Sequence, residues 1–188
     1  MSSTVRAAGD WAERFDVGNP QALKVIVMGV SGCGKSTLAR ALSGALAVDF
    51  VEGDELHPPA NVQRMSAGIP LTDHDRQDWL AAIGARLARA HAQDQGVVVA
   101  CSALKRRYRD QLRSHAPDLR LVHLHGDASL LAERLRGRSG HYMPPSLLPS
   151  QLEALELPGP DEDAVVLDIQ MPPARQVEQV LHALGAAA

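Results

Sequence analysis

Residues 29–36 read Gly-Val-Ser-Gly-Cys-Gly-Lys-Ser, directly after the apolar run Leu23–Met28 and directly before a helical pattern that starts at Lys35. A buried strand, a glycine-rich turn and a helix in this order restrict the chain to an α/β fold whose first loop cradles phosphate. The glycines let backbone N–H groups approach an anion closely. The following helix contributes its positive dipole end and its unpaired N–H groups, which favour a triphosphate there. Lys35 is expected to reach the β- and γ-phosphates, and the Ser36 hydroxyl to bind Mg²⁺. Gly29, Val30, Ser31, Gly32, Cys33, Gly34, Lys35, Ser36 and Thr37 together form the expected nucleotide-binding segment.

β-Branched runs alternate with helical patterns along the rest of the chain. Strands are expected at Leu23–Met28, Val48–Val51, Val97–Ala100, Leu119–Leu124 and Ala164–Ile169. The first, third and fifth are nearly continuous apolar runs, the pattern of strands covered on both faces. Helices are expected from Lys35 to about Leu46, from about Asp73 to Ala92, and over Leu104–Ser114, Ala128–Arg138 and Ala174–Leu184. Thr72 and Asp75 resemble a capping box for the long helix, and Trp79, Leu80, Ile83 and Leu87 fall on one of its faces. Pro172 and Pro173 open the last helix and Gly185 closes it. Alternation of this kind implies a parallel sheet between two helical layers.

The 188 residues suit one domain that buries about 70% of its unfolded surface. A net charge of −3 argues against general nucleic-acid binding, although a local basic cluster can still hold a small anion. No apolar stretch approaches a membrane span. Two cysteines, Cys33 and Cys101, do not make a disulfide framework, and the expected location is cytoplasmic. Cys33 reads as a small residue that fits the loop, with a thiolate-stabilising helix terminus as the alternative. Residues 1–22 contain Asp10, Glu13 and Asp16 and lack the apolar core of a secretory signal, so a flexible extension is expected before a single domain at 23–188.

Ligands of open parallel sheets bind beyond the carboxyl ends of the strands. Glu52, Gly53 and Asp54 end the second strand, which places Asp54 near an acceptor hydroxyl as proton acceptor or orienter; a turn-forming acid is the alternative. His57 could donate to a substrate oxygen or sit in an exposed loop. Arg76, in Asp73-His74-Asp75-Arg76, is a cation in a first helical turn, which calls for either a bound carboxylate or a surface ion pair. Lys105 lies at the same sheet edge and could touch a phosphate or a substrate oxygen, whereas Arg106, Arg107 and Arg109 read as a solvated helix face. Arg134 and Arg138 share a helix face that runs into Gly137 and Gly140, as arginines on a closing flap would. No acid follows the third strand, which weakens a hydrolysing-switch reading.

These blocks resemble the gluconate kinases, small phosphate-loop sugar-acid kinases related to shikimate kinase. The likeness rests on Met28–Ser36, Glu52-Gly53-Asp54 with Leu56-His57-Pro58, Met65, Gly68–Leu71, Asp73–Arg76 with Trp79-Leu80, Cys101–Lys105 with Tyr108-Arg109-Asp110, Arg138–Tyr142 and Ser150–Glu153. It implies an α/β, three-layer P-loop NTPase fold with a five-stranded parallel sheet, a small lid at about 137–150, and commonly a homodimer. It implies ATP- and Mg²⁺-dependent phosphorylation of D-gluconate at its 6-hydroxyl. Carried over by motif, Lys35, Asp54 and Arg138 are catalytic, Asp54, His57, Arg76 and Lys105 contact the sugar acid, and Arg134 and Pro173 border the adenine. Glu52 departs from the Asp common in the family, and residues 1–22 match no part of it. Two other readings remain: the same fold with shikimate or a nucleoside monophosphate as acceptor, and a nucleotide-dependent switch with slow hydrolysis.

Overall fold

In the computed structural model, residues 19–137 and 144–186 are described. Residues 1–18 of the expected extension at 1–22, and Arg138 with the segment to Met143, lie outside them. Five strands form one all-parallel sheet in the order β2-β3-β1-β4-β5: β1 Lys24–Met28, β2 Asp49–Glu52, β3 Val97–Ala100, β4 Arg120–His125 and β5 Val165–Asp168. β1 is central and wholly buried, which accounts for its unbroken Val-Ile-Val-Met run. Its alternate residues serve opposite layers: Val25 and Val27 pack with one core cluster, Ile26 and Met28 with the other.

The first layer contains α1 (Lys35–Leu46), α5 (Ala128–Arg136) and α7 (Pro173–Ala183). The second contains α3 (Gln77–Ala92) and α4 (Arg106–His115). α1 buries Leu38, Leu42 and Leu46 at the i, i+4, i+8 spacing of one helical stripe, each contributing about 1.5–3 kcal/mol of burial. Gly34 caps α1 at φ 97°, a left-handed conformation that a Cβ disfavours. Pro172 and Gly185 bracket α7 as expected.

Three differences from the sequence reading have local causes. The long helix starts at Gln77 rather than Asp73, because Thr72 and Asp75 close a turn on themselves. Asp75 Oδ2 accepts from the Thr72 N–H and hydroxyl, each at 2.7 Å, and the Asp75 N–H donates back to Thr72 Oγ1. Two further helices, α2 (Pro59–Ser66) and α6 (Leu148–Ala154), are short and proline-initiated, so too few apolar residues recur to mark a stripe. β5 is an edge strand with Val166 half exposed, not a strand covered on both faces. Within the expected lid, Pro145–Leu147 forms a 3₁₀ turn leading into α6, with Leu147 and Leu148 buried. Among the described residues no helix is long and apolar enough to cross a membrane.

Gly53 leaves β2 against the neighbouring strand so closely that a Cβ there would stand 2.3 Å from the Ala100 carbonyl oxygen. Backbone cannot move aside as a side chain can. Gly53→Ala is therefore expected to lower stability by about 1–3 kcal/mol in denaturant unfolding; an unchanged midpoint would contradict this packing.

Candidate active site

The phosphate loop links β1 to α1 and is anchored from below. The Gly29 N–H donates to the Ser102 carbonyl at 3.3 Å, and a Cβ on Gly29 would lie 2.6 Å from the Leu124 carbonyl oxygen. Val30 and Cys33 face the core. Burial pushes the Cys33 thiol up despite the nearby Lys35 charge, so Cys33 fills space as a neutral thiol. Ser31, Gly32, Gly34, Lys35, Ser36 and Thr37 line an open cavity of about 360 Å³, together with Asp54, Arg134 and Gly137. The Lys35 ammonium donates to the Val30 carbonyl at 3.1 Å, folded over its own loop. Arg134 Nη2 donates to the Ile169 carbonyl at 2.8 Å, which ties α5 to the turn before α7. Pro173 opens α7 and lies outside the cavity lining.

Glu52 stands behind Ser36. Burial pushes its carboxyl above the usual range and the Asp54 charge adds to the shift, while a hydrogen bond from the Ser36 hydroxyl opposes it. A serine hydroxyl beside the phosphate loop with a carboxyl behind it is a hard-oxygen donor set suited to a small divalent cation.

A second cavity, of about 340 Å³, adjoins the first. Asp54, His57, Arg76, Ser102, Lys105 and Gln151 are among its lining residues. Asp54 thus borders both spaces. Gln151 makes a second link, because its side-chain oxygen accepts from the Ser31 N–H at 2.7 Å while the residue lines the second cavity.

Each wall of this cavity has an identifiable support. Trp79, wholly buried on α3, donates its indole N–H to the Gly53 carbonyl at 2.7 Å, one residue before Asp54. Its ring stacks on the His57 imidazole, with centroids 4.4 Å apart and planes within 9°. Burial lowers His57 to about 4, with Arg76 pushing the same way against Asp54, so the ring is neutral at pH 7. His57 Nδ1 is buried with no hydrogen-bond partner among the described residues. Arg76 donates to the Leu71 carbonyl at 3.4 Å and pairs with no carboxylate among the described residues. That geometry favours the bound-carboxylate alternative for Arg76 over a surface ion pair. Asn61 on α2 steadies this corner by donating to the Asp75 carbonyl at 2.6 Å.

Lys105 Nζ contacts both oxygens of Asp73, at 2.9 and 3.1 Å, and Tyr108 and Arg107 meet the same carboxylate. Tyr108 and Gln151 are among the cavity residues that stand in the resembling sequence blocks without a role, and Asp73, a candidate partner for Arg76, pairs with Lys105 instead. Arg109 was expected on a solvated face and is instead fully buried, because α4 packs this side against the 156–162 segment.

A family profile described as an AAA domain matches residues 25–158. The gluconokinase of Gluconobacter oxydans (strain 621H) is 48% identical over 158 residues, covering 84% of this chain and 89% of that protein. The chain belongs to the gluconokinase family. The thermosensitive gluconokinase of Escherichia coli (strain K12) is 41% identical, covering 85% of this chain and 86% of its own length. The crystal structure of a gluconokinase from Sinorhizobium meliloti 1021 superposes with a TM-score of 0.79 at 52% identity, covering 88% of this chain and 93% of that one. The expected α/β P-loop kinase fold is thereby established, as is a kinase activity that uses ATP, generally with a divalent metal, on a small molecule.

The neutral state of His57 generates a pH dependence. Between about pH 6.5 and 4 the unfolded chain binds a proton that folded His57 does not. This contribution to stability is full above about 6.5 and is lost as pH falls toward 4; buried His123, also lowered to about 4, acts in the same direction. We expect the His57 ring signals to titrate near 4 by NMR, and Tm of His57→Gln to fall less steeply over this window. A ring titrating near its ordinary value would contradict the buried, stacked arrangement.

Proposed function

We propose that this chain phosphorylates D-gluconate at its 6-hydroxyl, with ATP as donor, to give 6-phospho-D-gluconate by in-line transfer. The observation that carries this reading is the position of Asp54 on the border of the phosphate-loop cavity and a compact polar cavity that contains Arg76 and Lys105. The relatives' gluconokinase activity supports the choice of acceptor.

In this mechanism the loop N–H groups, Lys35 and the N-terminus of α1 hold the β- and γ-phosphates, with Arg134 beside the nucleotide. Mg²⁺, held through Ser36 with Glu52 orienting the hydroxyl, supplies charge neutralisation on the phosphate oxygens when bound. Arg138, which follows α5 in the sequence, adds positive charge to the transferred group in this reading, and Pro173 borders the adenine. Arg76 and Lys105 hold the acceptor carboxylate, and Asp73 yields Lys105 to it. Neutral His57, braced by Trp79, exchanges a hydrogen bond with an acceptor hydroxyl. Asp54 receives the proton of the attacking hydroxyl or directs its lone pair at phosphorus. Holding the acceptor at both ends places its primary hydroxyl in line with the γ-phosphate. Closure of a lid at about 137–150 excludes water, the competing acceptor. We further propose a homodimer, supported by the family resemblance, and a cytoplasmic location, supported by two free, buried cysteines.

The test is purified protein with ATP and Mg²⁺ against gluconate, shikimate and nucleoside monophosphates, following ADP release. Gluconate alone is expected to stimulate turnover, and stimulation by shikimate without gluconate would overturn the reading. Asp54→Asn is expected to lower kcat by about 10²-fold or more with little change in Tm. Near-normal turnover would remove Asp54 from the transfer step.

A further inference from the structure

The Arg109 guanidinium on α4 is wholly enclosed, and so is the Glu162 carboxylate facing it. Arg109 Nε and Nη2 donate in parallel to the two Glu162 oxygens at 2.6 and 2.8 Å. Nη1 points the other way and donates to the carbonyls of Ala103, Leu104 and Glu156 at 3.1, 3.2 and 3.0 Å. Burial works against the Glu162 charge, but Arg109, the Gly159 N–H and Arg106 outweigh it and hold the carboxyl below its ordinary range.

The two carbonyls at 103 and 104 belong to the turn that leads straight into Lys105. Ser102, Leu104 and Lys105 all line the acceptor cavity, whereas Arg109 lines neither cavity. Ala103 has φ 43°, a left-handed conformation that a residue with a Cβ adopts only when its surroundings impose it. The third carbonyl, Glu156, belongs to the strap between α6 and β5. The Glu156 N–H donates to the Leu104 carbonyl at 2.8 Å, and its side chain accepts from the Arg106 N–H at 2.6 Å. One planar fork therefore grips the Lys105 turn and the strap at once. A buried ion pair is a poor way to gain stability, since apolar residues of similar volume often serve as well. What apolar residues cannot supply is a rigid set of donors aimed at three carbonyls.

We propose that Arg109 is a positioning residue for the acceptor: its guanidinium, oriented by Glu162, sets the 103–105 turn and with it the place of the Lys105 ammonium in the acceptor cavity. The inference rests on the reading of Lys105 as a substrate contact. It assigns Arg109 an effect on acceptor binding that nucleotide binding does not share, because the clamped carbonyls lie on the Lys105 side of Ser102.

The test compares steady-state constants and Tm for wild type, Arg109→Lys, and the double change Arg109→Met with Glu162→Leu. Lysine keeps a charge for Glu162, but one nitrogen cannot span the carboxylate and three carbonyls. The apolar pair restores burial without a clamp. Both proteins are expected to raise KM for gluconate by about tenfold or more, the scale of loss from a misplaced binding group, while KM for ATP stays within about twofold. Recovery of wild-type KM in a folded double variant would assign Arg109 to stability alone and overturn the proposal. So would a parallel rise in both KM values. Lys105→Met, measured alongside, separates the two layers. If it raises KM for gluconate and the folded Arg109 variants do not, the Arg109 proposal alone falls. If it leaves KM unchanged, the Lys105 assignment falls and this proposal with it.

Discussion

The parallel pairing of β3 between β1 and β2 sets the relative height of the phosphate loop, Asp54 and Lys105. In that register Val27 and Glu52 both stand level with Ala100. One step further along each strand lie the phosphate loop, the Asp54 turn and the Ser102–Lys105 turn. A slip of one residue would send each side chain of a strand to the opposite helical layer and turn Asp54 away from the loop. The core enforces the register from both sides, because Val25 and Val27 are committed to the α1 layer while Ile26 and Met28 are committed to the α3 layer. Substrate geometry is thus a consequence of how apolar side chains alternate in the sheet.

On that platform the polar side chains are held by neighbours that do no chemistry themselves. Trp79 braces the residue before Asp54 through its N–H and the His57 ring through its face. Asn61 steadies the Thr72–Arg76 turn, and Arg109 grips the turn before Lys105. Burying these supports costs solvation, which is recovered only because their donors are met at hydrogen-bond distance. The cavity combines unlike charges for the same reason. In the proposed mechanism Arg76 and Lys105 draw in an anionic acceptor and Asp54 receives its hydroxyl end, while neutral His57 lines the same cavity without a third positive charge.

Much of this arrangement was legible in the chain. The phosphate loop declares itself because strand, turn and helix are consecutive, so their mutual placement is local. Asp54 and Lys105 were legible for a related reason, since each follows a strand whose carboxyl end must reach the ligand edge. Arg109 was misread because its partner, Glu162, is 53 residues away, and a helix with four arginines in its sequence looks solvated until the strap packs against it. β5 was misread as a covered strand because sheet order is not written in strand order. α2 and α6 were not anticipated because neither is long enough to display a periodic stripe.

By itself the sequence determined the α/β alternation, the anion-binding turn and the residue types available for phosphoryl transfer, because these depend on contacts between near neighbours along the chain. Only the tertiary structure decided that Asp54 borders two cavities, that His57 is stacked and uncharged, and that Arg76 faces a cavity without an acidic partner among the described residues. Those properties arise from desolvation and from carbonyls, rings and charges brought together across long sequence separations. No local pattern encodes the water that packing removes.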